Sequence, residues 1–191
     1  RVLVRIFNVL NKEIIKVMKT RRQIIDEYLT IEKKGGVYKW YMTQEGADLL
    51  SIPTEGTTEK DGYKLVYIGL SSNMRMRLKW HCLDIHLPSS IKAGTLSILR
   101  QKINTLLTGR WYDKEQVDQF IDEHMRVEFE YSEDYKELEL IEIRSNKCPL
   151  NARNNPYFNE FRRELSKKNG QAKRDSVKYL EEQGLIHIFK R

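Results

Sequence analysis

Six polar side chains in this 191-residue sequence together supply the kinds of group that phosphodiester hydrolysis requires. Tyr38 closes the string Gly36-Val37-Tyr38, and Tyr67 opens the string Tyr67-Ile68-Gly69. Arg77 and His81 follow four residues apart, and Glu139 and Asn151 come much later. Such a reaction needs an attacking water, a group that takes its proton, positive charge for the anionic transition state and help for the departing oxygen. Arg77 offers a planar, permanently charged fork for phosphate oxygens, where a lysine would offer a point charge. Glu139 is a hard oxygen donor suited to Mg²⁺ or Mn²⁺, and Mg²⁺ commonly takes one or two protein carboxylates and keeps several waters. A metal so placed polarises the phosphate and assists the leaving oxygen. The phenols of Tyr38 and Tyr67, with pKa about 10 in water, become useful bases only where cations depress them; Arg77, His81 and the metal are the cations expected there.

Taken singly, these residues read blandly. Aromatics inside strands pack sheets, and an arginine and a histidine four apart usually form an exposed helix pair. Their joint order is the informative feature, and it depends on the elements that carry them.

Apolar residues recur at helical spacing over 2–29 (Ile6, Leu10, Ile14, Val17, Met18, Ile25, Leu29), which predicts one long helix or two short ones. Gly35-Gly36 ends that pattern. Residues 37–42 and 63–70, rich in Tyr, Trp, Val and Ile, predict two strands paired antiparallel. The polar stretch 43–62 between them, with Pro53, predicts an inserted loop with one helical turn at 47–50. Asn73 caps a predicted helix through Arg77 and His81 toward His86, which sets those two on one face. A second helix is predicted over 95–107, with Leu96, Leu99, Ile103 and Leu106 as its apolar stripe. A third starts at Asp113, where Gln116 completes a capping-box-like signal. Residues 126–131 alternate and predict another strand, after which Ser132 caps a helix holding Glu137, Glu139 and Glu142. The tail predicts helices over 157–168 and 172–183 and a short apolar end over 185–189.

Composition narrows the function classes. A hydrophobic content of 40% with 10% aromatics excludes a disordered chain, and no apolar run approaches the roughly 20 residues of a membrane span. A soluble, cytoplasmic protein without a membrane partner is the expectation. Residues 1–10, interrupted by Arg5 and Asn8, lack the cleavage site of a signal peptide, and the opening on Arg1 leaves room for an upstream segment. Cys82 and Cys148 form no disulfide scaffold, and with His81 and His86 they match no compact zinc spacing. Net charge is +7 and segregated: +5 over 1–34, +6 over 70–110 and +7 over 143–191, against −9 over 113–142. Three basic segments can frame a DNA-backbone track, with Arg75, Lys79, Arg162, Arg163, Lys167 and Lys168 as candidate contacts and the acidic helix turned away or partly recruited for metal. A solvated helix surface is the alternative.

The whole series, from Gly36-Val37-Tyr38 and Tyr67-Ile68-Gly69 through Arg77, His81 and Glu139 to Asn151 in Cys148-Pro149-Leu150-Asn151, resembles the GIY-YIG nuclease superfamily over residues 35–155. The resemblance implies an α+β fold, a small and mainly antiparallel three-stranded sheet flanked by helices, here with added N- and C-terminal helices over 1–34 and 156–191. It implies a metal-dependent endonuclease that hydrolyses DNA phosphodiesters, of restriction or stand-alone type rather than a repair incision subunit, acting on double-stranded DNA as a monomer or homodimer. Tyr38 takes the role of general base, Glu139 of single-metal ligand for Mg²⁺ or Mn²⁺ and Arg77 of phosphate clamp. Tyr67 and His81 support the site, Asn151 holds it together, and Gly36 and Gly69 belong to the two motifs. Glu139 is favoured by its twelve-residue interval to Asn151 and by the apolar Leu138, Leu140 and Ile141 around it, with Glu137 as the alternative. The chain departs from the pattern in Val37, where isoleucine names the motif, in Leu70, where many members carry a lysine, and in the long 43–62 insertion. The rival reading is a catalytically silent nucleic-acid-binding module with the same fold.

Overall fold

The computed structural model describes residues 17–83 and 87–186; residues 2–16 of the helical pattern predicted over 2–29, His86 and residues 187–189 of the apolar end predicted over 185–189 lie outside the described residues. Within them the chain forms four strands and eight helices. The first half contains α1 (Arg21–Asp26), β1 (Gly36–Thr43), α2 (Gln44–Leu49), β2 (Glu59–Lys60), β3 (Tyr63–Ser71) and α3 (Met74–Cys82). The second contains α4 (Pro88–Ala93), α5 (Ile98–Thr108), α6 (Lys114–His124), β4 (Met125–Tyr131), α7 (Tyr135–Ser145) and α8 (Asn159–Glu182).

The sheet runs β2-β3-β1-β4 with every neighbouring pair antiparallel. The α+β class and the three long strands are those the sequence predicts, whereas β2 corrects the expected three-stranded sheet. Lys60 pairs with Tyr63 across Asp61-Gly62, whose φ values are 49° and 81°. Positive φ at both central residues is what a two-residue type I′ hairpin needs, and Asp-Gly is its strongest signal.

Alternation along β1 sends Tyr38, Trp40 and Met42 to one face of the sheet and Val37 and Tyr41 to the other. On the first face they pack with Ile24, Leu78, Leu99, Ile103 and Phe120 from α1, α3, α5 and α6. On the second, Ile143 of α7 and Cys148 cover Leu65 and Ile68. Strand β1 pairs Trp40 with Tyr67 but Tyr41 with Leu65, so Val66 bulges out of the ladder just before Tyr67. Bulges re-aim neighbouring side chains, and this one adjoins the second tyrosine motif.

Several predicted helices change their bounds. The helical spacing before residue 20 does not continue into α1. Thr20 instead starts a fresh helix by a capping box with Gln23, and Lys19 pairs its backbone with Val127 of β4. The turn expected at 47–50 is α2, capped by Thr43. Ser97 rather than Thr95 opens α5, Asp113 precedes α6 without a side-chain cap bond, and Asp134 rather than Ser132 precedes α7. The two helices predicted for the tail are one, because α8 runs through Gly170. A glycine costs a helix about 1 kcal/mol, less than the burial of Leu165, Ala172 and Leu180 on either side of it returns.

The acidic helix α6 does not simply face away. Asp118 and Asp122 turn inward to Arg21 and Arg100, the latter fully buried. Arg100 donates its Nε–H to the His81 carbonyl at 2.7 Å, and Arg21 donates to the Cys82 carbonyl at 3.0 Å. Two carbonyls at the C-terminal end of α3, which lack intrahelical partners by geometry, are thus satisfied by arginines that α6 holds in place.

Candidate active site

The ladder between β1 and β3 sets Tyr38 opposite Gly69 and Trp40 opposite Tyr67. The Tyr38 and Tyr67 rings stand side by side with centroids 6.3 Å apart, and each phenol acts on the ionisation of the other. Both are buried. Gly36 permits the close approach of β1 to β4, since a Cβ there would run into the Glu130 carbonyl and come within 2.9 Å of Met74 Cε.

Helix α3 begins where Asn73 Oδ1 accepts the Met76 N–H at 3.2 Å, and it delivers Arg77 and His81 to the same region. The buried His81 ring packs 4.9 Å from Tyr38 and 5.9 Å from Trp40, centroid to centroid. Its Nδ1 lies 2.6 Å from Ser97 Oγ. Burial, then the charges of Arg77 and Arg100, push the imidazole well below its ordinary range. His81 is therefore neutral at physiological pH and is not among the cations that act on the tyrosines, contrary to the sequence expectation. Arg77 is such a cation: half-buried, it stacks 5.4 Å from the Trp80 ring and has no carboxylate partner among the described residues. Its charge lowers both phenols, but burial outweighs it and raises each above the usual tyrosine value, Tyr38 the more.

The three glutamates of α7 have different surroundings. Glu142 is paired with Lys39 at 2.8 Å and accepts from Asn146 Nδ2 at 3.0 Å. Glu137 is exposed. Glu139 is half-buried with no ion-pair partner among the described residues, and burial raises its carboxyl above the usual range. Of the three, it is the one whose charge acts on both Tyr38 and Tyr67.

Asn151 is buried at the outer edge of β3, where its Oδ1 accepts the Ile68 N–H at 2.8 Å and its Nδ2 donates to the Ile68 carbonyl at 2.7 Å. Beside it the Leu150 carbonyl accepts from Lys102 Nζ, and that ammonium stands 5.9 Å from the centre of the Tyr67 ring. Lys102 was not singled out from the sequence. Its signal was a lysine on the apolar stripe of α5, three residues after Leu99 and one before Ile103. Ser97 was missed as well, since its contact with His81 spans sixteen residues and has no local signature.

The candidate DNA contacts divide into two groups. Arg75 donates to the carbonyls of Ile31 and Leu29, Lys79 stands over the Tyr28 ring, and Arg162 donates to the Ala152 carbonyl and the Asn159 side chain. Those three tie elements together. Arg163 and Lys167 are exposed on the side of α8 opposite its buried Leu165 and Ala172, and Lys168 is exposed at the flank of that stripe.

A family model described as the GIY-YIG catalytic domain matches residues 36–171. The chain belongs to the GIY-YIG family. The match opens on Gly36 and runs past Asn151 into α8, so all six residues of the ordered series fall inside it. No curated protein and no solved structure gives a match. A GIY-YIG catalytic domain has a nuclease-type fold and typically uses a divalent metal. No helix among the described residues is long and apolar enough to cross a membrane.

Proposed function

We propose that this GIY-YIG domain is a metal-dependent endonuclease that hydrolyses phosphodiester bonds in double-stranded DNA. The reading is carried by Arg77 and Glu139, a cation and a carboxylate that both act on the adjacent tyrosine pair yet form no ion pair with each other or with other described residues. Charges held half-buried without partners are costly. A phosphate satisfies the first and a divalent cation the second.

The donor set fits such a metal. No group of three metal-ligating side chains gathers among the described residues, so Glu139 would hold Mg²⁺ or Mn²⁺ with water and substrate oxygens completing the shell. When bound, the ion supplies positive charge for the phosphate and the leaving oxygen. Arg77 grips the phosphate oxygens through its planar fork. Tyr38 receives the proton of the attacking water. Burial holds that phenol protonated, so it ionises only when the charge of Arg77 is reinforced at the loaded site. Neutral His81 packs the Tyr38 ring, Tyr67 stands beside its phenol, and Asn151 fixes the backbone beside Tyr67. Arg163, Lys167 and Lys168 follow the DNA backbone, and a restriction-type or stand-alone role accords with this arrangement.

The test is cleavage of supercoiled plasmid with Mg²⁺ or Mn²⁺ by the wild type and by Glu139→Ala. Metal-dependent nicking or linearisation that is lost in Glu139→Ala is the expected result. Plasmid bound but left intact with either metal would overturn the reading in favour of the silent binding module.

A further inference from the structure

Lys102 is a buried ammonium, with its side chain on the core side of α5. Among the described residues no carboxylate neutralises it. Its contacts are the Leu150 carbonyl, the face of Tyr67 and the repelling charge of Arg162 from α8. A lysine of this kind is seldom kept for stability, because burying an unpaired cation costs more than one hydrogen bond to a carbonyl returns. What the location offers is charge beside a phenol: a cation over an aromatic face is attracted to it, more strongly as the ring gains negative charge.

We propose that Lys102 is a positioning residue for Tyr67, pinned by the Leu150 carbonyl so that its ammonium holds the ring and favours negative charge on the Tyr38–Tyr67 pair while the attacking water loses its proton. The proposal rests on the nuclease reading above. The charged and titratable groups facing Tyr67 are Tyr38 from β1, Arg77 from α3, Glu139 from α7 and Lys102 from α5. Arg77 and Lys102 are the cations among them. Burial, then Arg162, lowers the Lys102 ammonium to about 8, so it is charged at neutral pH and discharges just above it.

The experiment compares single-turnover plasmid cleavage by the wild type, Lys102→Met and Lys102→Gln from about pH 6 to about pH 9.5, with DNA affinity and Tm measured alongside. Below the lysine pKa both variants should cleave about tenfold more slowly, the scale of one cation–aromatic contact, while binding DNA normally and melting no lower. Above it their rates should converge on the wild type. Equal rates at every pH, a loss of the same size at every pH, or weakened DNA binding with an unchanged bound rate would each overturn the positioning role. If Lys102→Met does not fold, Lys102→Gln decides alone. A wild type without metal-dependent cleavage overturns the nuclease reading itself, whereas an active wild type with equally active variants overturns only the part given to Lys102.

Discussion

The Tyr38 phenol occupies the space that Gly69 leaves empty: a Cβ at Gly69 would overlap both Oη and Cζ of Tyr38. The two residues face each other across the β1–β3 ladder, so the glycine of one motif makes room for the tyrosine of the other. The two short strings, weak signals apart, are one physical unit.

Gly69→Ala should therefore push the phenol aside rather than merely stiffen β3. Overpacking of this kind costs about 2 kcal/mol, which thermal unfolding would read. Cleavage by the folded fraction should fall much further, and a variant with near-normal single-turnover rates would show that Tyr38 is not needed where it stands.

Glu139 has its carboxyl raised by burial, so it adds nothing against folding below the ordinary carboxyl pKa of about 4 and weighs against the fold as pH rises above it. Glu139→Gln should melt higher than the wild type at neutral pH, with the difference vanishing in acid. Added Mg²⁺ should raise the wild-type Tm and leave the variant unmoved. A shift of both proteins would place the metal elsewhere, and the same scan on Glu137→Gln checks the neighbouring alternative.

Asp118 holds Arg100 and Arg21 in the network that ends on the His81 and Cys82 carbonyls. Breaking one partner out of a buried pair costs about 3 kcal/mol or more. Asp118→Ala should lose that stability in denaturant unfolding. The Asp118 carboxyl is depressed by Arg100, Lys114 and Arg21 against the opposing effect of burial. Its contribution is full above the ordinary carboxyl pKa and fades as pH falls through the depressed one, so wild type and variant should converge in acid.

Charge removal at Arg163, Lys167 and Lys168 together should flatten the dependence of log DNA affinity on log salt by up to about 3 units, near one for each phosphate released. Sequence preference should not change, since phosphate contacts position without specifying. Arg162 is left intact because it holds the Ala152 carbonyl. An unaltered slope would make the outer face of α8 a solvated surface.

Much of this architecture was legible because local chemistry and tertiary context agree. The long strands carry β-branched and aromatic residues, Asn73 caps α3 as expected, and Arg77 and His81 share a helix. The elements that were misread depend on contacts distant in sequence. Lys19 leaves the helical pattern to pair with Val127, α8 passes through Gly170 because both its halves bury apolar residues, and Lys102 gains its meaning from Leu150 and Tyr67. The neutrality of His81 was hidden for the same reason: burial and two arginines set it, and Arg100 lies nineteen residues away.

Asn151 behaves as a strand one residue long. Past the short β2, the outer edge of β3 offers backbone groups in a run that includes Val66 and Ile68, the kind of edge on which other chains aggregate. The Asn151 carboxamide closes both groups of Ile68, and the Leu150 N–H takes the Val66 carbonyl at 3.0 Å. The side chain that fixes the backbone beside Tyr67 thus also closes a stretch of open sheet edge, and its loss would uncover both groups of Ile68.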